Sequence, residues 1–165
     1  MDFAFNRRDF WPASRAGGVL LAVRNTIPSL KRPDMETSAE ILNCRKLRPS
    51  YKKKILMTVF YRPPSSNCSY LTEFTKCLRE GSRAKLDQLF IVGDFNLPNI
   101  DWSIRIYSTD SDIYNLFTKS IKDYFVWQVV DFPTRQENSL DLVLTNIPDK
   151  IVNIVGFYDI LESDH

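Results

Sequence analysis

The sequence predicts a single domain of mixed strands and helices, α/β or α+β. Short apolar runs rich in β-branched and aromatic residues recur along it, two other segments carry helical spacing, and no internal repeat or low-complexity tract interrupts them. With 44% hydrophobic and 25% charged residues the chain has the proportions of a globular protein and no compositional sign of disorder. At 165 residues one domain is the simplest count, and it is long enough to bury roughly 70% of its unfolded surface.

The elements follow in order. Residues 19–23, 41–47 and 55–61 read as strands, each bounded by turn-forming residues. Leu71, Phe74, Cys77 and Leu78 then form one apolar stripe of a helix, with Ser69 placed to cap it. Residues 88–92 are the next strand. Ile113, Leu116, Phe117, Ile121 and Tyr124 mark a second helix that starts after Asp110 or Ser111, and residues 140–145 and 151–158 read as the last two strands. Both helical stripes read as core faces. The connection from Leu97 to Asp110 has no periodicity; its Trp102 is expected to pack back onto the domain, since a large aromatic buries most of its surface.

Candidate chemistry sits at strand ends. The run Gln88-Leu89-Phe90-Ile91-Val92 leads into Gly93-Asp94-Phe95-Asn96, and on an extended backbone Asp94 and Asn96 project from the same face. An Asp/Asn turn after a strand accounts equally well for these two residues. Asp141 lies in the otherwise apolar run 140–144, where an ionised carboxylate needs a donor or a counter-charge. His165, the only histidine, follows Asp164 at the end of the chain. Histidine suits proton transfer near neutral pH, and an aspartate accepting from its ring N–H fixes the tautomer. Taken singly, a terminal His reads as a surface residue.

In order and spacing, the strand ending in Gly93-Asp94-Phe95-Asn96, then Thr134-Arg135 with Ser139-Leu140-Asp141, then Ser163-Asp164-His165, resembles the endonuclease/exonuclease/phosphatase superfamily. Val59-Phe60-Tyr61-Arg62-Pro63-Pro64-Ser65 and the glycine-led run from Gly17 to Val23 narrow the resemblance to the apurinic-type endonuclease domain of non-LTR retrotransposons. It covers about residue 5 to residue 165 and implies a DNase I-like α/β sandwich of two sheets flanked by helices. It also implies a Mg²⁺- or Mn²⁺-dependent DNA endonuclease that nicks its target to give a 3′-hydroxyl, working with a reverse transcriptase domain. Asp94 would align or deprotonate the attacking water, Asn96 would donate to a nonbridging phosphate oxygen, and Tyr61 would set its hydroxyl against the phosphate. His165, oriented by Asp141, would act as base or as cationic stabiliser, and Asp164 would help hold the metal.

The sequence also departs from the family pattern. A strand bearing an Asn and another bearing a metal-binding Glu stand upstream of the glycine-led strand in the family, whereas here residues 5–10 resemble the loop after that Glu. The family's closing strand would follow His165. The expectation is therefore a partial domain over residues 1–165, with the metal weakly held and the fragment inactive. Two other readings stay open: a non-catalytic relic that binds nucleic acid weakly, and a phosphatase of the same superfamily.

Charge and cysteine usage set further bounds. Lys and Arg number 22 against 20 Asp and Glu, so a net charge of +2 does not by itself announce a nucleic-acid partner. Locally, Arg45, Lys46, Arg48, Lys52, Lys53 and Lys54 come without an intervening acid and could attract phosphates, as could Arg62. For any one of the six, a solvated hairpin tip is the simpler reading. Three cysteines without C-x-x-C spacing argue for a reducing compartment and against a zinc site. With no signal-peptide layout at the N-terminus and no apolar run approaching the ~18 residues of a membrane span, the expected setting is intracellular, nuclear or cytoplasmic, with no membrane partner.

Overall fold

The structure is a computed structural model that describes residues 3–8, 19–35, 37, 40–47, 54–98, 100–102, 106–107 and 112–156. Its centre is a six-stranded mixed sheet in the order β3-β4-β5-β6-β10-β9. These strands are β3 (Ser29–Lys31), β4 (Glu40–Leu47), β5 (Lys54–Tyr61), β6 (Gln88–Asp94), β9 (Trp127–Gln128) and β10 (Asp141–Thr145). Only the β5–β6 pair is parallel; the helix α1 (Ser69–Arg83) makes the crossover between them. A two-stranded antiparallel pair, β1 (Phe3–Arg8) with β2 (Val19–Arg24), runs against β4 and β5, and β7 (Ile100–Asp101) pairs with β8 (Ile106–Tyr107). The second helix is α2 (Asp112–Asp123).

Strand alternation decides which residues meet the helices. Leu56, Thr58 and Phe60 of β5, Leu89 and Ile91 of β6, and Leu142 and Leu144 of β10 are all buried, on the face that receives Leu71, Phe74, Cys77 and Leu78 of α1 and Phe117 and Ile121 of α2. Phe60, Phe74, Phe95 and Phe117 form an aromatic cluster with ring centroids 4.8–5.7 Å apart. Trp102 packs edge-on against Phe117 at 6.2 Å, back onto the domain as expected. Ser69 is the first residue of α1 and not its cap: the cap position is Cys68, which makes no side-chain capping bond, and Asn67 Oδ1 just before it accepts the Ser69 N–H at 2.9 Å. The suggested caps of α2, Asp110 and Ser111, lie outside the described residues.

The two helices are also joined by a hydroxyl pair. Thr75 Oγ1 and Ser120 Oγ lie 2.7 Å apart, each also 2.7 Å from a carbonyl one turn back in its own helix, Leu71 and Leu116 respectively; with one proton apiece, one hydroxyl donates across the helices and the other donates to its own carbonyl. Ser120 is 2% exposed, so water does not replace this contact. Ser120→Ala is expected to lower stability by about 1 kcal/mol in urea unfolding; a stabilised variant would mean that the cross-helix contact contributes nothing.

Two elements differ from the sequence reading. Residues 151–156 are not a strand: Val152 is fully exposed and Val155 largely so, and a β-branched run without a neighbouring strand has nothing to pair with. At the other end, Phe3–Arg8, taken in part for a loop, pairs in register with β2, Asn6 opposite Leu21. No helix among the described residues is long and apolar enough to cross a membrane.

Candidate active site

The site is built by register across three strands. Parallel pairing sets Tyr61 of β5 beside Asp94 of β6, and antiparallel pairing sets Asp141 of β10 on the other side of Asp94. One row deeper, Phe60, Gly93 and Leu142 are paired in the same way, and the buried Phe60 and Leu142 face the helices. Tyr61, Asp94 and Asp141 therefore project from the opposite face, at the end of β5 and β6 and the start of β10. Side chains directly across a ladder sit ~5 Å apart, so Asp94 is the immediate neighbour of both Tyr61 and Asp141.

Asp94 is only partly exposed, and its Oδ1 accepts the Asn96 backbone N–H at 3.0 Å. Burial, and next the charge of Asp141, raise its carboxyl above the ordinary 3.8; the Asn96 N–H and the positive charge of Arg135 pull in the other direction. Asp141 itself is exposed. The cost expected for an acid inside an apolar run is not incurred, because Leu140, Leu142 and Leu144 turn inward and Asp141 turns out. Its backbone is held by Thr134, whose Oγ1 accepts the N–H groups of Leu140 and Asp141, each at 3.0 Å. The tight turn between Arg135 and Asn138, with Gln136 at φ 51°, brings Thr134 back to that position.

Asn96 does not reach the site by extension of the strand. The strand stops at Asp94, Phe95 plunges into the aromatic cluster, and Asn96 takes a left-handed backbone at φ 47°. The same-face argument from i and i+2 spacing thus fails, because the core burial of Phe95 turns the chain. Asn96 is nevertheless beside Asp94, and its Nδ2 donates to the Arg62 carbonyl at 2.8 Å, which leaves the second N–H of that amide for another acceptor.

Arg62 corrects another expectation. It is 3% exposed, its Nη1 donates to the Asn96 carbonyl at 2.9 Å and its Nη2 to the Ser66 carbonyl at 2.6 Å. It ties two loops together beneath the site and is not a surface contact for phosphates. Burial draws its pKa below the usual arginine value.

The described members of the basic run are not at this rim. Arg45 and Lys46 lie on β4, and Lys54 opens β5 opposite Leu47. Tyr61 closes the same strand that Lys54 opens, which puts Lys54 about 23 Å from the Asp94 row at ~3.3 Å per residue. Arg48, Lys52 and Lys53, the side chains of Arg45 and Lys46, and both Asp164 and His165 lie outside the described residues. Two contributors had no role assigned from sequence: the Thr134 hydroxyl and the Arg135 charge. The polar Gln136-Glu137-Asn138 stretch was the only local signal that a turn would bring them to Asp141.

Among the described residues, no three His, Cys, Asp or Glu side chains come together as a metal site. Asp94 and Asp141 alone do not make a cage for a divalent ion. A concavity of about 930 Å³ lies elsewhere, between the end of α2 and residues 127–139; Trp102, Phe125, Trp127 and Phe132 line it, and Asp94, Asp141 and Tyr61 do not.

Comparison with known proteins gives a consistent picture. The profile of the family described as endonuclease-reverse transcriptase matches residues 55–165. The endonuclease domain of TRAS1, a telomere-specific non-LTR retrotransposon, superposes with a TM-score of 0.64 at 13% identity, over 86% of this chain and 64% of that one. The human Nocturnin catalytic domain gives 0.58 at 11% identity, over 87% and 60%. A Bacteroides thetaiotaomicron mannosyl-6-phosphatase gives 0.51 at 9%, over 87% and 62%. At these identities the likeness establishes the fold: an α/β domain of the endonuclease/exonuclease/phosphatase, DNase I-like kind. The chain spans about three fifths of the length of these solved domains. No curated protein matches the sequence.

Proposed function

Because this chain belongs to the endonuclease-reverse transcriptase family, we propose that it carries the core of a non-LTR retrotransposon endonuclease, which hydrolyses a phosphodiester in target DNA and leaves a 3′-hydroxyl to prime reverse transcription. The observation that supports this reading best is the row Tyr61, Asp94 and Asp141 across three adjacent strands, with Asn96 beside it. Such a hydrolysis needs a base for water, donors to the developing charge on phosphorus, and a held substrate.

Each need has a residue. Asp94 takes up a proton more readily than an ordinary carboxylate, which suits it to align and deprotonate the attacking water. The second Asn96 amide N–H donates to a nonbridging oxygen, and the Tyr61 hydroxyl lies against the phosphate. Arg135, exposed and close enough to Asp94 to act on its charge, adds a positive group for the phosphate. His165, oriented by Asp141, completes the set as base or stabiliser. Asp164 would be a ligand to Mg²⁺ or Mn²⁺, which would supply charge stabilisation at the phosphate when bound. The partners are DNA and a reverse transcriptase domain.

The test is nicking of supercoiled plasmid in Mg²⁺, run on the 165-residue chain and on a chain completed with the segments that flank it in its gene. The completed domain is expected to nick, EDTA to stop it, and a phosphate monoester or a phosphoinositide to be a poor substrate. Nicking by the completed domain but not by the 165-residue chain would support the expectation that this stretch alone is inactive. Release of phosphate from the monoester with intact plasmid would overturn the endonuclease reading in favour of a phosphatase.

A further inference from the structure

Arg62 is a buried charge whose hydrogen bonds, among the described residues, go to carbonyl oxygens. Its side chain reaches Asn96 and Ser66, and among the described residues no carboxylate forms an ion pair with it and its Nε faces no acceptor. Burying a guanidinium on such terms is costly, and an apolar side chain would fill the space without that cost. What an apolar residue lacks is the planar fork. Each carbonyl the fork holds belongs to a segment in an uncommon backbone state: Asn96 at φ 47°, and Ser66 directly after Ser65 at φ 60°. Non-glycine residues persist there only where their surroundings over-determine them.

The contacts are reciprocal. The Arg62 N–H donates to the Asp94 carbonyl at 2.9 Å, its own carbonyl accepts from Asn96 Nδ2 at 2.8 Å, and its Nη1 closes the ring on the Asn96 carbonyl at 2.9 Å. Within that ring the Asn96 N–H is aimed at Asp94 Oδ1, 3.0 Å away.

We propose that Arg62 is a positioning residue: its guanidinium locks Asn96 in the left-handed conformation and thereby keeps the Asn96 N–H on the Asp94 carboxylate and the Asn96 amide at the rim. Its role in a reaction rests on the reading of Asp94 and Asn96 as the groups that meet the phosphodiester, whereas the positioning itself is a property of the fold. Lysine cannot replace it, because one ammonium on a flexible stem does not span two carbonyls as a planar fork does.

The experiment is NMR of the chain and of Arg62→Lys, which keeps the charge and removes the fork. In Arg62→Lys the Asn96 amide should exchange about tenfold faster, the worth of roughly one hydrogen bond, while Ile91 in the core of β6 keeps its protection, and the Asp94 carboxyl should titrate higher still. Unchanged Asn96 exchange together with an unchanged Asp94 titration would overturn the proposal. If Arg62→Lys does not fold, the unmodified chain decides. Its Arg62 Nη protons should appear as separate, slowly exchanging resonances, against averaged signals from the exposed Arg83 and Arg135. One averaged Arg62 signal would overturn the proposal as surely. None of these readouts uses nicking, so a chain that passes them and does not cleave DNA counts against the endonuclease reading alone. In a nicking domain Arg62→Lys is expected to lower kcat with KM little changed.

Discussion

Asp94→Asn is expected to melt at a higher temperature than the parent at neutral pH and, in a nicking domain, to cleave about 100- to 10,000-fold more slowly, the usual worth of a positioned acid or base. The two effects share a cause. Burial and the facing charge of Asp141 raise the Asp94 carboxyl above 3.8, so the folded state binds its proton more tightly than the unfolded chain does. The sign follows. The stability that this site contributes is fully present below the unfolded value near 3.8 and is lost as the pH rises through the higher folded value. At pH 7 the ionised carboxylate therefore works against folding. An asparagine amide keeps an oxygen for the Asn96 N–H and removes the repulsion. The gap in melting temperature between variant and parent should be widest near neutrality and should close as both are taken below about 3.8. A variant less stable than the parent at pH 7, by an amount that does not change with pH, would show that Asp94 is there for structure.

Gly93→Ala is expected to abolish the cooperative fold. A Cβ on Gly93 would sit 1.8 Å from the Phe60 carbonyl oxygen and 2.8 Å from its carbon, and the residue holds φ at +146°, which L side chains rarely adopt. The atom in the way is backbone of β5, a central strand, and cannot move without breaking the β5–β6 ladder that aligns Tyr61 with Asp94. Strain and overpacking each cost about 1–3 kcal/mol, a large share of the roughly 5–15 kcal/mol by which a domain is stable. Gly81→Ala is the control. Gly81 lies within α1, its added Cβ would meet the Leu86 side chain at 3.4 Å, and alanine is favoured over glycine in a helix by about 0.5–1 kcal/mol. Circular dichroism melts should show Gly81→Ala folded and Gly93→Ala unfolded; a Gly93→Ala protein melting near the parent would mean that the rim tolerates a different strand spacing.

Much of the fold was legible because its signals are local. Leu71, Phe74, Cys77 and Leu78 fall on one side of α1 at helical spacing and all are buried, and β5 was readable as an apolar, β-branched and aromatic run from Ile55 to Tyr61. The run at residues 151–158 misled for the same reason. Val152 and Val155 have the residue types of a strand, but a strand also needs a neighbour, and composition does not report one.

Sequence alone determined which residues carry the resemblance to the family: Gly93-Asp94-Phe95-Asn96, the Tyr61-Arg62 pair and Asp141, each recognisable from side-chain type and spacing. Only the tertiary structure decided how they meet. Tyr61, Asp94 and Asp141 become neighbours through the register of two ladders, which depends on pairing between distant segments. Asn96 leaves the strand direction because Phe95 is drawn into the aromatic cluster, and Arg62 turns inward because two loop carbonyls need its donors. Lys54 lies at the far end of β5 from Tyr61 because a strand carries its two ends apart. Burial, register and backbone handedness arise when separate segments pack on one core, and a single stretch of residues encodes none of them by itself.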